Sequence, residues 1–200
     1  MKDVKIGWNY VIRCTRRMKT NEIKEILMKS LYETSRGLFV TNFTGCGFAE
    51  CDVLRITESN IMYEYEIKNS RSDFRADFKK THKHDRLSGK KDKDQEYIRW
   101  NGNPGRANHF YYVCREGLIQ ASEVPEYSGL IWVVGDKIEV QKKAPKLHSF
   151  KANDKLILAV AKLLSTRFVF GGCSYMNYAR EQREKLFHSQ QEIGRAVQQE

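Results

Sequence analysis

Residues 63–80 read YEYEIKNSRSDFRADFKK, and the period of the chain changes within them. Up to Lys68 the side chains alternate: Tyr63, Tyr65 and Ile67, preceded by Ile61, fall on one side of an extended chain. Glu64, Glu66 and Lys68, preceded by Met62, fall on the other. Ser70 or Ser72 then caps a helix that carries Phe74, Ala76 and Phe78 toward a sheet and continues through Lys79, Lys80 and Lys83. A polar row of Glu, Glu and Lys has two readings. It is a solvated stripe of ion pairs, each contributing little, or it is a face that holds a metal ion and a nucleic-acid phosphate.

Upstream, FAECDVLRI reads as a second strand, separated from IMYEYEIKN by the turn-like TESN. Glu50, Asp52, Leu54 and Ile56 share one of its sides. A hairpin centred on Ser59 places Asp52 opposite Glu66 and Glu50 opposite Lys68. A slip of one residue sets Asp52 against Ile67 and destroys the arrangement. Two opposed carboxylates repel unless a cation lies between them. Oxygen ligands of this kind suit Mg²⁺, which lowers the pKa of a bound water and polarises a phosphate oxygen.

Earlier still, Thr20-Asn21 caps a helix to about Ser35 with the stripe Ile23, Ile26, Leu27, Leu31, and LFVTNF is a short strand. Downstream, residues 88–108 are polar and glycine-containing and read as a long flexible loop in which Tyr97, Arg99 and Trp100 are candidates to stack on bases. HFYYVC and GLIWVV are strands, and Gly135-Asp136 turns a hairpin into KIEVQKK. Asn153-Asp154 caps the apolar helix KLILAVAKLL, and the chain from YMNYAREQREKLF onward reads as a polar helix outside the core. Alternating helices and strands point to an α/β or α+β protein, a sheet flanked by helices. The division expected is a core over 1–150 and a helical C-terminal extension over 151–200.

Length and composition fit one domain of generous size: 200 residues with ten Phe, ten Tyr and three Trp. No run approaches a membrane span, no apolar leader opens the chain, and five scattered cysteines include no C-x-x-C pair. A soluble, cytoplasmic protein with reduced thiols and no membrane partner is expected. The formal charge of +10 favours a polyanionic partner. That charge is concentrated, because residues 71–93 carry nine Lys or Arg against four Asp or Glu, whereas residues 174–200 carry four of each. Arg71, Arg75, Lys79, Lys80 and Lys83 are the candidates to neutralise DNA phosphates. His82 and His84 cannot both face one ligand on a regular helix.

Helix, then ECDVL, then EYEIKNSRSDFRAD resembles the PD-(D/E)XK nuclease superfamily, and the fuller stretch from CDVLRI to GLIWVV is similar to its small phage and bacterial MmcB-like members. The resemblance covers roughly residues 20–150 and implies a restriction-endonuclease-like core, a central mixed sheet flanked by helices. It implies Asp52 and Glu66 as ligands of Mg²⁺ (or Mn²⁺), the carbonyl of Ile67 as a further ligand, and Lys68 as the catalytic lysine. Many members add a glutamate from the first helix; Glu22, Glu25 and Glu33 are the candidates, with Glu33 preferred. Cys51 stands where the family name has proline. The function implied is a metal-dependent DNA nuclease hydrolysing phosphodiesters. The rival is a non-catalytic DNA-binding or repair accessory on the same fold. A third reading is an interaction subunit, or a homo-oligomer, joined through residues after about 174.

Overall fold

The computed structural model describes residues 18–89 and 105–170. They form helix α1 (Thr20–Thr34), strands β1 (Gly37–Gly45), β2 (Phe48–Thr57) and β3 (Met62–Lys68), helices α2 (Arg71–Asp77) and α3 (Thr81–Leu87), strands β4 (His109–Arg115), β5 (Ser128–Val134) and β6 (Lys137–Lys142), and helix α4 (Asp154–Val169). The six strands make one sheet in sequence order. Pairs β1–β2, β2–β3 and β5–β6 are antiparallel, while β3–β4 and β4–β5 are parallel. The molecule is thus an α/β protein with a mixed sheet. The parallel step from β3 to β4 needs a long crossover, and α2 and α3 lie in it.

Both faces are covered. On one, Ile23 and Leu27 of α1 pack on Val53, Tyr65, Ile67, Val113, Ile131 and Val133. On the other, Leu156 and Val160 of α4 pack on Val40, Leu54, Ile56 and Met62, and Phe74 and Leu87 of the α2–α3 crossover pack on Phe110, Tyr112 and Leu130. Each such aliphatic or aromatic side chain, fully buried, contributes about 1.5–3 kcal/mol of transfer free energy. The odd-numbered row of β3 belongs to the α1 face and the even-numbered row to the α2–α3 face, as alternation requires.

The hairpin register matches the one centred on Ser59: Val53 pairs with Tyr65, Leu54 with Glu64, Arg55 with Tyr63 and Ile56 with Met62. Asn60 turns it at a φ of 63°, and the Thr57 hydroxyl accepts from the Ile61 N–H.

Three sequence expectations change. The helix expected to run from Ser70 through Lys83 is two helices broken at Phe78–Lys80, and Ser70 is its cap, accepting from the Asp73 N–H at 3.1 Å. The break lets Phe74, Asp77, Lys83 and Leu87 all face the sheet, which one straight helix could not arrange. The helix at 154–169 belongs to the core and not to an extension, because Leu156 and Val160 are fully buried in it. The segment expected to be a free loop over 88–108 ends inside the fold: Ala107 and Asn108 are buried, and Asn108 accepts from Met62 N–H while its amide donates to the carbonyls of His148 and Phe150. Tyr97, Arg99, Trp100 and the polar C-terminal stretch from 174 lie outside the described residues. Among the described residues no helix is long and apolar enough to cross a membrane.

Candidate functional site

The ladder between β2 and β3 stops at the Val53–Tyr65 pair, and Asp52 stands at the next rung. The β1–β2 ladder pairs Thr41 with Val53 and Phe43 with Cys51 on either side of it, and shifts register just beyond, between Phe43 and Gly45. Asn42, across from it, has a φ of 46°, and Cys51 packs with Leu54 in the α4-side cluster although strict alternation would set them on opposite faces. Asp52 is therefore turned into the gap where the strands part. Its Oδ2 accepts from the Ile67 N–H at 2.9 Å, and its Oδ1 lies 2.9 Å from Lys24 Nζ on α1. Lys24 also donates to Asn42 Oδ1 at 2.6 Å. Just beyond β3, the Asn69 amide donates to the Thr20 hydroxyl, which fastens the start of α1 to the end of the strand.

Glu64, Glu66 and Lys68 point toward the α2–α3 crossover. Glu66 Oε1 accepts from Lys68 Nζ at 2.9 Å, and its Oε2 accepts from Lys83 Nζ at 2.7 Å. Lys83 also lies 3.1 Å from Glu64 Oε1 and sits over the Phe110 ring. Lys68 reaches Asp77 at 3.0 Å, and Lys80 reaches Asp77 at 3.2 Å and Glu66 at 3.6 Å. Tyr112 donates its hydroxyl proton to Asp77 Oδ2 at 3.0 Å. His84 bridges the Tyr127 hydroxyl and the Asp77 carbonyl. Three buried carboxylates (Glu64, Glu66, Asp77) thus face three ammonium groups (Lys68, Lys80, Lys83) under two short helices, with the half-exposed Asp73 carboxylate 3.9 Å from Lys68 at the rim.

The electrostatics follow from burial set against these pairs. Burial pushes the Glu64 carboxyl up, and Lys83 only partly offsets it. Burial works against a charged Lys83, yet Glu64 and Glu66 outweigh it and its pKa is raised. Burial likewise opposes ionised Asp77, but the His84 hydrogen bond and the charges of Lys83 and Lys68 hold its pKa well below the carboxylate range. Burial, with Asp77 close by, pushes Tyr127 up to about 12.

The expected residues are only partly brought together. Glu66, Ile67 and Lys68 lie at one strand end beside Asp52, but the expected convergence of Asp52 and Glu66 on one cation is not the arrangement found. Asp52 takes Lys24 from the α1 side, while Glu66 takes Lys68 and Lys83 from the crossover side. Among the described residues no group of three or more His, Cys, Asp or Glu side chains is disposed to hold a metal ion. Glu33 is not beside Asp52. It lies nine residues past Lys24 on α1, about 13 Å along the axis, exposed at a groove with Tyr32, Phe39 and Arg167. The α1 side chain that does meet Asp52 is a lysine. Glu50 is exposed, and Lys68 pairs elsewhere.

The basic row also divides. Lys83, 7% exposed, points inward and is not a surface phosphate contact. Arg71 forks onto the Glu123 carboxylate and donates to the Leu118 carbonyl. Lys80 is half-committed to Asp77, and Arg75 and Lys79 are exposed. Sequence reasoning missed Lys24, Asp77 and Tyr112. Asp77 had a signal, since it lies three residues after Phe74 and so shares its buried face.

No family model matches the sequence, and no curated protein matches it significantly. A solved protein of unknown function from Silicibacter pomeroyi is similar in structure, with a TM-score of 0.51 and 20% identity over 73% of this chain and 86% of that one. At that identity the likeness is one of fold, and the chain stands as an α/β protein built on a six-stranded mixed sheet with four helices among its described residues.

Proposed function

We propose that this chain is a metal-dependent DNA nuclease on a restriction-endonuclease-like core. The observation that carries the reading is the Asp52 carboxylate hydrogen-bonded to Ile67 N–H at 2.9 Å, at the rung where β2 and β3 separate and next to Glu66 and Lys68. The order of helix, Asp strand, Glu-x-Lys strand and helix supports it, as does the net positive charge.

Two carboxylates, Asp52 and Glu66, and the Ile67 carbonyl are oxygen donors of the kind a hard divalent cation takes, but Asp52 pairs with Lys24 on the α1 side and Glu66 with Lys68 and Lys83 on the crossover side, so a shared cation would require both carboxylates to leave their lysines. The ammonium groups of Lys24 and Lys83 are stand-in cations on those same carboxylates. Bound Mg²⁺ or Mn²⁺ supplies Lewis acidity and a water of lowered pKa. The chain's own residues do the rest. Ile67 N–H fixes the Asp52 carboxylate, and Lys68 offers its ammonium to the phosphate oxygen on which charge develops. Arg75 and Lys79, exposed on the crossover, neutralise flanking phosphates.

The test is cleavage of a DNA panel with Mg²⁺ or Mn²⁺ by wild type, Asp52→Asn and Lys68→Ala. Loss of cleavage in both variants, with DNA binding retained, is expected; cleavage that survives both sinks the assignment. A second reading, a DNA-binding accessory without catalysis, is favoured by the fact that Glu66 already accepts from two lysines. It expects salt-sensitive binding and no cleavage with any divalent metal.

A further inference from the structure

We infer that the connection from β6 to α4, residues 143–151, is a binding surface for single-stranded DNA, with Lys143, Lys146 and Lys151 on its phosphates and Phe150 against a base. The inference rests on the DNA reading above and names the form of DNA held and a second place that holds it.

Residues 141–153 read QKKAPKLHSFKAN, with four lysines and no Asp or Glu. The backbone of this connection is tied across the end of the sheet at which β3 and β4 begin. Leu147 N–H donates to the Asn108 carbonyl at 2.8 Å, and Ala152 N–H donates to the Asn60 carbonyl at 2.8 Å. Between them the buried Asn108 amide donates to the carbonyls of His148 and Phe150. Lys142 is turned inward, onto the carbonyls of Val124 and Pro125. Lys143, Lys146 and Lys151 are exposed, and none of them is paired with a carboxylate among the described residues. Asp154 at the start of α4 and Glu58 in the β2–β3 turn are exposed at the same end and pair with none of the three. Three ammonium groups strung over a chain that spans at most about 28 Å raise a positive potential that a row of phosphates neutralises. Phe150 lies between Lys146 and Lys151 in sequence with 45% of its surface exposed, and its ring is tilted against His148 at 5.9 Å. A base of a single strand has a free face to set against such a ring, whereas the bases of a duplex are stacked on each other. The fastened backbone keeps the ordering cost of binding low. One exposed phenyl ring and no amphipathic helix give an anionic membrane little to hold. The length of β3, about 20 Å, separates this end of the sheet from Lys68, after which α2 with Arg75 begins.

The test is fluorescence anisotropy of a fluorescein-labelled oligothymidylate with the full chain in EDTA, over a series of NaCl concentrations. The proteins are wild type, Lys143→Ala/Lys146→Ala/Lys151→Ala, Phe150→Ala and Arg75→Ala/Lys79→Ala. The triple variant is expected to make the slope of log affinity against log salt shallower by about 2, at about 0.7 for each of three contacts. Phe150→Ala is expected to weaken binding at least about fivefold with the slope unchanged. A triple variant that binds like wild type, while Arg75→Ala/Lys79→Ala binds more weakly, overturns this surface and leaves the DNA reading standing. Absence of binding in every protein overturns both. A duplex of the same length that competes as well as the single strand, with Phe150→Ala unaffected, overturns the single-strand assignment. Binding to phosphatidylserine vesicles that the triple variant loses, with oligothymidylate binding intact, overturns it in favour of a membrane surface.

Discussion

Asp77 is the residue on which the buried charges turn. Its carboxylate meets Lys68, Lys80, His84 and Tyr112 and is almost wholly buried. Asp77→Ala takes from Lys68 one of its two close carboxylates, leaving Glu66, and removes the acceptor of the Tyr112 hydroxyl; breaking a buried pair from one side costs about 3–5 kcal/mol, and urea unfolding measures it. The pH dependence has a definite sign. Asp77 has a folded pKa below its unfolded value, so between the two the unfolded chain binds more protons. Its stabilisation is complete above the unfolded pKa of about 3.9 and is lost as pH falls through the folded value. Unfolding curves across that acid range should be flatter for Asp77→Asn than for wild type; an identical pH profile would mean that Asp77 does not set the acid sensitivity. Glu64, whose folded pKa is raised by burial, acts with the opposite sign, its contribution being present at low pH and lost as pH rises through its folded pKa. Alternation made Glu64, Glu66 and Lys68 legible as one row, because β3 is regular. It failed at Asp52, where Asn42 at positive φ disturbs the neighbouring strand and the carboxylate turns toward Lys24. Nothing in a period-two pattern marks such a position.

At the scale of elements, the local signals that worked were caps and hairpins. Asn153 caps α4 by accepting from the Leu156 N–H at 3.0 Å, and the register about Ser59 follows from the hydrophobic rows of β2 and β3. The break between α2 and α3 was not legible, since Phe78, Lys79 and Lys80 are ordinary helix residues and it is sheet packing of Phe74 and Leu87 that bends the chain there. Two consequences are measurable by denaturant titration. Ser70→Ala removes the cap of α2 and should cost about 1 kcal/mol, whereas Ser72→Ala, whose hydroxyl meets that of Ser70 and caps nothing, should cost less. Leu156→Ala should cost about 2–5 kcal/mol if α4 is part of the core; a change within error would return the helix to the status of an appendage.

At the scale of the molecule, the surplus of positive charge was read from composition, but its disposition was not. Lys83 and Arg71 are committed to Glu66 and Glu123, so fewer cations of the crossover face outward than the sequence offers. DNA binding, measured as a function of salt, should report this difference. Arg75→Ala and Lys79→Ala should each make the slope of log affinity against log salt shallower by about 0.9, while Arg71→Ala leaves the slope unchanged. Equal effects of all three would mean that Arg71 leaves Glu123 when DNA arrives.

One further property follows from how the crossover is fastened. Arg86 donates to the carbonyls of Gly47 and Gly105, and Arg106 donates back to the carbonyls of Arg86 and Leu87. These arginines clasp the chain on either side of residues 90–104 to each other and to the β1–β2 turn. The end of α3 and the segment that leads into β4 are thereby held together. The approach to β4 is thus anchored at the β1–β2 turn as well as at the crossover helix, so a change to either arginine should be felt at the far edge of the sheet and not only where it sits.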